Sequence, residues 1–322
     1  MRHALAPALL LIFAAFPLPS GSEPLYETPA ILTCPECSPI NAATQVADGI
    51  VAVGQRGLIL RSTTDGGWEQ QYAPIRRTLN AVIHTGDDRL IAVGQDALVI
   101  SRDSPGASWT LIQADPTLDA PLLDLWIGNE GRGFAVGAYG LALVTDDGGR
   151  NWSERKIDAQ EPHFYAIREA PEGTLYICGE YGTVLQSRNR GASWTPLTLG
   201  WDGTFFGCRA GHEGRILVYG LEGMILESRD QGASWRRLET GSSASIYDAT
   251  FLADGRAVVV GAGGTVLIET ATGKFEHIAH PHRGSLTAVL ARNPHTLVLF
   301  GEGGVHTLAL ADSPHFRIRR EP

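Results

Sequence analysis

A glycine repeated at nearly constant spacing is the feature that most constrains the fold of this 322-residue chain. Each of these glycines ends a short apolar run, and successive members lie 40 to 43 residues apart. They are Gly54, Gly94, Gly137, Gly179, Gly220, Gly261 and Gly301. A period near 40 with several short strands per unit is typical of a β-propeller. The repeat therefore predicts one ring of seven blades over residues 40–322, with no second domain.

The unit from Leu79 to Trp109 shows what each repeat contains. Leu79–His84, Leu90–Val93 and Leu98–Ser101 have the pattern of strands, and a fourth strand begins near Trp109. Turn residues such as Gly, Asp and Pro separate these runs. The predicted fold class is all-β, a seven-bladed β-propeller of four-stranded antiparallel blades.

An aromatic residue follows each repeated glycine by fourteen or fifteen positions. The series is Trp68, Trp109, Trp152, Trp194, Trp235, Phe275 and Phe316. A large ring at the start of each outer strand can bury a wide apolar area between neighbouring blades. We expect these rings to belong to the core rather than to a ligand site.

A second motif, the Asp box, precedes several of these rings with the pattern Ser/Thr-x-Asp-x-Gly-x-x-Trp. It is intact at Thr145–Trp152 and Ser228–Trp235, and altered copies occur in other repeats. Its acidic or amide members are Asp103, Asp147, Asn189 and Asp230. Such side chains accept hydrogen bonds from nearby backbone N–H groups and hold a loop shut. Recurrence at equivalent corners indicates a structural role.

One position of the innermost strands carries small residues in six aligned repeats. These are Ala81, Asp124, Ala166, Gly207, Asp248 and Ala288. Packing near the ring axis is the simpler explanation of their size. The alternative is that Asp124 and Asp248 line a central channel and bind a cation or water.

The N-terminal residues have the pattern of an export signal. A short positive start, an apolar stretch of about thirteen residues and a small-residue segment predict a signal peptide over residues 1–22. The mature chain is then expected to be periplasmic or secreted and not membrane-spanning. Residues 23–39 form an N-terminal segment, in which Leu25–Leu32 can supply the outer strand of the last blade. Phe316–Arg319 is the alternative source of that strand.

Four cysteines in an exported chain invite disulfides. Cys34 and Cys37 are compatible with a zinc half-site or a redox motif, and a local disulfide is the favoured interpretation. Cys178 and Cys208 fall on core-strand positions in adjacent blades, either free or paired with each other. We expect no metal site and no cofactor.

The net negative charge of the chain limits the kinds of partner that it can bind. The formal net charge is −9, which argues against binding nucleic acid or an anionic membrane surface.

The repeated order Val-Gly-x-x-Gly-x-Leu-Leu-x-Ser-x-Asp-Gly-Gly-x-x-Trp resembles the photosystem II stability/assembly factor family, and within it the bacterial members outside photosynthetic organisms. The resemblance covers residues 25–320 and is strongest over Val136–Trp152, His163–Ala166 and Gly173–Gly179. It implies a seven-bladed propeller of the lumen or periplasm, without enzymatic activity. Photosynthetic members hold a membrane-protein subunit during assembly. They present a basic surface to it, for which this acidic chain shows no counterpart.

The resulting hypothesis is an exported binding scaffold, an assembly or stability factor for a membrane protein complex of the cell envelope, with an exporter as one possible client. Turns between second and third strands should share one face with the loops between blades. Because Tyr, Trp and Arg are enriched at binding hot spots, residues of these types on that face are the candidates. They are Arg76, Arg77, Tyr139, Tyr181 and Trp201.

Two alternative functions compete with the scaffold. A sialidase-like glycosidase shares the Asp box, but its nearest motif match here is Phe316–Arg319, which follows the last blade and lacks the proline. A metal- or sugar-binding propeller is the other alternative. Its best cluster is His277, His280 and His282, where at most two imidazoles would converge in an extended strand.

Overall fold

The computed structural model describes residues 29–310 except Asp87, Ala159 and His212. In this part of the chain, strands form seven sheets, six with four strands and one with three. The remaining regular structure consists of short 3-10 turns such as Pro35–Cys37. The predicted all-β, seven-bladed β-propeller is therefore confirmed. The predicted signal peptide, residues 1–22, lies outside the described residues.

The first four blades each contain four strands. Blade one comprises β1 (Ile40–Val46), β2 (Gly49–Gly54), β3 (Ile59–Ser62) and β4 (Trp68–Gln71). Blade two comprises β5 (Leu79–His84), β6 (Leu90–Gly94), β7 (Leu98–Arg102) and β8 (Thr110–Gln113). Blade three comprises β9 (Leu122–Ile127), β10 (Gly133–Gly137), β11 (Ala142–Thr145) and β12 (Ser153–Glu154). Blade four comprises β13 (Phe164–Glu169), β14 (Leu175–Gly179), β15 (Val184–Ser187) and β16 (Thr195–Pro196).

The last three blades complete the ring. Blade five comprises β17 (Phe205–Ala210), β18 (Ile216–Gly220), β19 (Ile225–Ser228) and β20 (Arg236–Arg237). Blade six comprises β21 (Ile246–Phe251), β22 (Ala257–Gly261), β23 (Thr265–Glu269) and β24 (Phe275–His277). Blade seven comprises β25 (Leu286–Asn293), β26 (Thr296–Gly301) and β27 (Gly304–Ala309). Within each blade, every strand after the first pairs antiparallel with its predecessor, so the blade is a simple meander.

The repeated glycine is required by a close backbone approach. A Cβ on Gly137 would lie 2.1 Å from the carbonyl oxygen of Pro121, the residue before the inner strand of the same blade. In blade six the same atom on Gly261 would lie 1.9 Å from the carbonyl oxygen of Ser245. Both glycines have extended backbone, so space and not a positive φ excludes a side chain. The period in the sequence thus records one steric contact made once per blade.

The aromatic rings of the outer strands pack against the preceding blade. The Trp194 ring meets Phe134 of blade three edge-on at 5.7 Å between centroids, and Trp68 meets Phe300 of blade seven at 6.0 Å. Trp109 is buried in a cluster with residues of blade one. The expectation that these rings form core is confirmed there, while Phe316 lies outside the described residues.

The N-terminal segment lies where blade seven meets blade one. Residues 29–39 form no strand, so they do not supply the fourth strand expected for blade seven. The Gln70 side chain of β4 instead accepts from the Leu32 N–H and donates to the Ala30 carbonyl, both at 2.9 Å. Residues 25–28 and the alternative Phe316–Arg319 fall outside the described residues. The segment is therefore seated on blade one.

A disulfide joins Cys34 and Cys37 across a turn, and the Cα atoms of these two cysteines lie 5.4 Å apart. This turn contacts both β27 and β4. A Cβ on Gly304 would lie 2.0 Å from the Glu36 carbonyl oxygen, so the turn is wedged at the junction of the last and first blades. Cys178 and Cys208 are buried free thiols.

Across residues 29–310, apart from the three positions left out, no helix has the length and apolar character needed to span a bilayer.

Candidate functional site

One face of the ring is built from the Gly-x-x-Gly turns and the loops between blades, and we call it the loop face. The two sets of residues are tied by backbone hydrogen bonds, such as Gly140 N–H to the Pro162 carbonyl and Gly182 N–H to the Gly203 carbonyl, both at 2.9 Å. The sequence prediction that these turns and loops share a face agrees with these bonds. The face is thus a continuous, hydrogen-bonded surface.

Two tyrosines stand out from the turns of this face. Tyr139 and Tyr181 have φ of 56° and 54°, the left-handed region, where blade six carries Gly263. A residue with a side chain costs about 1 kcal/mol or more in this conformation. Both rings nevertheless project outward, 65% and 75% exposed. The turn alone does not explain why tyrosine occupies these positions.

Aromatic rings continue from Tyr139 across four blades. Successive ring centroids are separated by 4.6 Å (Tyr139 to His163), 6.3 Å (His163 to Tyr165), 5.3 Å (Tyr165 to Phe206) and 5.2 Å (Phe206 to Tyr247). We call these five residues the aromatic row. Most of its contacts are edge-to-face, the arrangement that aromatic pairs prefer.

The row arises because three inner strands carry an aromatic residue at the same register. Phe164, Phe205 and Ile246 open these strands, are buried, and pair with the repeated glycines of their blades. The next residues are Tyr165, Phe206 and Tyr247. Since successive side chains of a strand point to opposite sides, these rings are half-exposed where their predecessors are core.

Carboxylates flank the row near both ends. Glu180, only 16% exposed at its side chain, accepts from the His163 N–H at 3.2 Å. The pKa of Tyr165 is raised to about 12. Burial is the largest cause, followed by the nearby Glu180 carboxylate and the Tyr181 phenol. Burial and then the Glu302 carboxylate raise the pKa of Tyr247, opposed by a hydrogen bond with Ser245. The row is therefore an aromatic surface in a negative field.

The structure separates the predicted binding residues into three environments. Tyr139 belongs to the row, and Tyr181 lies close enough to Tyr165 to affect its pKa. Trp201 is half-buried, with its ring over Gly203 and against the core between blades four and five. The predicted site is thus divided, because the remaining two candidates, Arg76 and Arg77, lie in the loop between blades one and two.

Arg77 is already engaged, since its Nε lies 2.7 Å from the Asp96 carboxylate. The sequence prediction did not include Tyr165 and Phe206 among the binding residues. Their signal was available, because alignment on the repeated glycine places them and Tyr247 at one position, 41 residues apart each time.

The Asp boxes occupy the opposite edge of the blades and hold loops shut. Asp147 accepts from the backbone N–H groups of Arg150 and Asn151, both at 2.9 Å. Asp230 accepts a hydrogen bond from the Ser234 N–H at 2.8 Å. The pKa of Asp230 is lowered to about 2, mainly by the hydrogen bond from the Ser234 side chain and next by the one from the Ser234 backbone. Both carboxylates therefore form their hydrogen bonds within their own loops.

Two further boxes show how the motif tolerates change. The amide oxygen of Asn189 accepts from the Ser193 N–H at 2.9 Å, which is the bond an aspartate makes elsewhere. In the box Ser101–Trp109, which is one residue longer than the pattern, Asp103 instead lies 2.9 Å from the guanidinium of Arg89. Arg89 also donates to carbonyls of the Asp-box loop in blade three. Asp103 therefore takes part in a contact between blades.

The two aspartates of the inner strands also connect neighbouring blades. Asp124 accepts from the Ile167 N–H at 2.8 Å and pairs with Arg168, both in blade four. Asp248 accepts from the Val289 N–H of blade seven at 2.9 Å. Burial raises the pKa of both carboxyls. Each of these carboxylates therefore ties its inner strand to a neighbouring blade.

The histidine cluster differs from the one the sequence indicated. His280 and His282 are joined by His306 of β27, whose ring stacks on His282 at 3.9 Å between centroids. Burial and then the neighbouring imidazoles lower the pKa of His306 to about 4. His277 is exposed and is not one of the stacked rings. Among the described residues, no set of three or more His, Cys, Asp or Glu side chains is arranged to hold a metal ion.

Comparison with known sequences gives relatives of one kind. The family described as "Photosynthesis system II assembly factor YCF48" matches residues 113–202. The photosystem II assembly lipoprotein Ycf48 of Synechococcus sp. (strain CC9902) is 30% identical over 129 residues, which are 39% of this chain and 38% of that protein. The same-named protein of Prochlorococcus marinus (strain NATL2A) is 33% identical over 86 residues, 26% of this chain and 25% of that protein. The matches thus span less than two fifths of either relative.

Solved structures share the architecture over most of the chain. YCF48 bound to D1 peptide superposes with a TM-score of 0.70 at 17% identity, covering 92% of this chain and 98% of that one. YCF48 from Cyanidioschyzon merolae gives 0.69 at 16% identity, with 88% and 98% covered. A streptogramin B lyase gives 0.75 at 11% identity, with 88% and 97% covered. Similarity at these identities shows the fold alone.

Fold and loops together define the class as a seven-bladed β-propeller with Asp-box corners. With the sequence relatives added, the chain is similar to Ycf48-like β-propellers, and the sequence pattern of that family matches residues 113–202.

Proposed function

We propose that the protein is an exported, non-enzymatic scaffold that holds an extended segment of a membrane-protein subunit during assembly of a complex in the cell envelope. The observation that carries the proposal is the aromatic row with the exposed Tyr181 beside it. Large rings held by a rigid sheet can contribute much binding area at little cost in side-chain entropy. Loops supported by a stable scaffold are a common place for such recognition.

The similar proteins support the proposal of an assembly factor that binds a polypeptide segment. One structural neighbour is a YCF48 bound to a peptide of D1, and the curated relatives are assembly lipoproteins. The N-terminal pattern of residues 1–22 supports export to the periplasm or beyond the cell. The client complex, an exporter among the candidates, has to be found by experiment.

Affinity capture from detergent-solubilised envelope of the source organism, read by mass spectrometry, tests the proposal. We expect the tagged protein to recover one membrane complex, and Tyr181→Ala to reduce that recovery at least about tenfold. Tyr72→Ala is the matched control, because Tyr72 is a tyrosine of similar exposure, 66%, just after β4. Recovery of no membrane protein, or equal recovery with Tyr181→Ala, would contradict the proposal.

A further inference from the structure

We infer that the aromatic row, with Glu180 and Glu302, binds an extended polypeptide segment that carries arginine or lysine side chains. This inference rests on the proposed function and names the chemistry of the segment that is held. Its basis is the geometry of the rings, the placement of the carboxylates and the charge of the surrounding face.

The spacing between neighbouring rings of the row is compatible with an extended ligand. Its rings follow one another at centroid separations between 4.6 and 6.3 Å through blades three to six. At about 3.3 Å per residue, a segment of about six extended residues covers such a row. Alternate side chains of the segment would then meet successive rings.

The rings present surfaces that attract cations. Tyr165 and Phe206 meet at 76°, and Phe206 and Tyr247 at 68°, so neighbouring rings are turned nearly perpendicular. Each half-exposed ring can therefore offer part of its electron-rich face to a ligand. Guanidinium and ammonium groups are the side chains that such faces attract.

The carboxylates make the preference for a cation specific. The charged group that raises the pKa of Tyr165 is Glu180, and for Tyr247 it is Glu302. Glu180 is held in place by the His163 N–H, and Glu302 accepts from the Ser285 N–H at 3.1 Å. An acidic segment would meet like charges near both ends of the row, although the His163 imidazole lies 3.8 Å from the Glu180 carboxylate.

Basic residues of the loop face lie mainly away from the row. Arg56, Arg76 and Arg77 belong to blades one and two or the loop between them, and Asp96 neutralises Arg77. Arg283 lies in the loop before blade seven. With a net charge of −9 over the whole chain, long-range attraction also favours a basic partner.

Binding of three synthetic peptides to the full protein tests the inference. The ten-residue peptides share one sequence except at three alternate positions, which carry Arg, Gln or Glu. We expect the Arg peptide to bind at least about tenfold more tightly than the Gln peptide, and the Glu peptide more weakly still, by fluorescence anisotropy. The Arg preference should shrink between about 50 and 300 mM salt, because part of it is electrostatic.

A pair of glutamate variants locates the effect. Glu180→Gln keeps an oxygen that can accept from the His163 N–H but removes the charge, and we expect the Arg preference to fall several-fold. Glu172→Gln, in the turn at the opposite edge of the same blade, is expected to leave the preference unchanged. Melting temperatures of both variants should match that of the wild type.

Equal binding of the three peptides, a preference for Glu, no binding by any of them, or an unchanged preference in Glu180→Gln would each overturn the inference. If envelope capture still recovers a membrane complex that depends on Tyr181, the proposed function survives and only the charge assignment falls. If capture also recovers nothing, both fall.

Discussion

The two halves of the ring use the same register position for different purposes. On blades seven, one and two, the second residue of the inner strand is polar and bonds to the next blade. Thr287 donates to the Ile40 carbonyl at 2.6 Å, Asn41 to the Leu79 carbonyl at 2.8 Å, and Asn80 to the Leu122 carbonyl at 2.8 Å. On blades four, five and six the position holds Tyr165, Phe206 and Tyr247, which contact one another.

The difference is that this position joins blades by hydrogen bonds in one half and by contacts between half-buried rings in the other. The hydrogen bonds and ion pairs between blades in the aromatic half come from other positions. Asp124 reaches from blade three to four, and Asp248 from blade six to seven. Arg215 connects blade five to Glu269 of blade six. Because these polar contacts also hold the blades together, the partly exposed rings at the loop face can serve a ligand as well.

The largest effect we expect is on stability, from Arg215→Met in the aromatic half. The Arg215 guanidinium binds Glu227 at 2.7 Å and both oxygens of Glu269 at 2.9 Å, and all three side chains are buried. Leaving two buried carboxylates without this partner should lower the free energy of unfolding by about 3 kcal/mol. Chemical denaturation measures it.

Arg229→Ala is the control for this variant. Arg229 also contacts Glu227, at 3.0 Å, but its side chain is 60% exposed. Its loss should cost less than about 1 kcal/mol. Similar losses for the two variants would show that the buried network does not connect the blades as described.

Phe206→Ala is expected to act on binding more than on stability. Phe206 is the ring that contacts both Tyr165 and Tyr247, so its removal divides the row. Affinity for the Arg peptide should fall about tenfold, which corresponds to about 1.4 kcal/mol. Anisotropy gives the affinity and thermal denaturation the stability. An unchanged affinity would remove the row from the binding surface.

Asn80→Ala should show the reverse behaviour. It removes the half-buried amide that donates to the Leu122 carbonyl and should cost about 1 kcal/mol of unfolding free energy. Peptide affinity should not change. Thr287→Val, at the equivalent position of blade seven, is expected to behave in the same way. Loss of affinity in either variant would contradict the division into two halves.

The smallest effect that we expect is on stability at acid pH, from Asp230 in the Asp box at the edge of the blades opposite the loop face. The pKa of Asp230 is lowered to about 2 by hydrogen bonds from Ser234 and Ser228, whereas an aspartate in an unfolded chain titrates near about 3.9. Its contribution is therefore complete above about pH 4 and is lost as pH falls toward about 2. Asp230→Asn should lack this step, so the melting temperatures of the two proteins should depend differently on pH between 2 and 5. The same dependence of melting temperature on pH in both proteins would contradict this role of Asp230.

The sequence was enough to predict the fold because one contact repeats in every blade. Gly137 has no side chain since the Pro121 carbonyl approaches it, and the same approach at each blade makes the period visible. The rings of Trp68 and Trp194 were correctly predicted as core, because a recurrent aromatic at one offset reflects recurrent packing.

The candidate site was less predictable, because its members are distant in sequence and individually unremarkable. Tyr165, Phe206 and Tyr247 each resemble ordinary strand residues until the blades are placed side by side. The Trp201 ring covers Gly203 and is half-buried, a position that the sequence pattern does not reveal. Ion pairs such as Arg77 with Asp96 depend on loop conformation, which no repeat encodes.

The hydrogen bond between Thr287 and Ile40 joins residues 247 positions apart, and this has a consequence for the order of events during synthesis. Blade one can form early, but its apolar residues Ile50, Ala52 and Leu58 pack against blade seven. At about 5–20 residues per second, that partner emerges about 10–50 s later. Until then the growing protein is an open arc with an uncovered first blade, which a chaperone could shield.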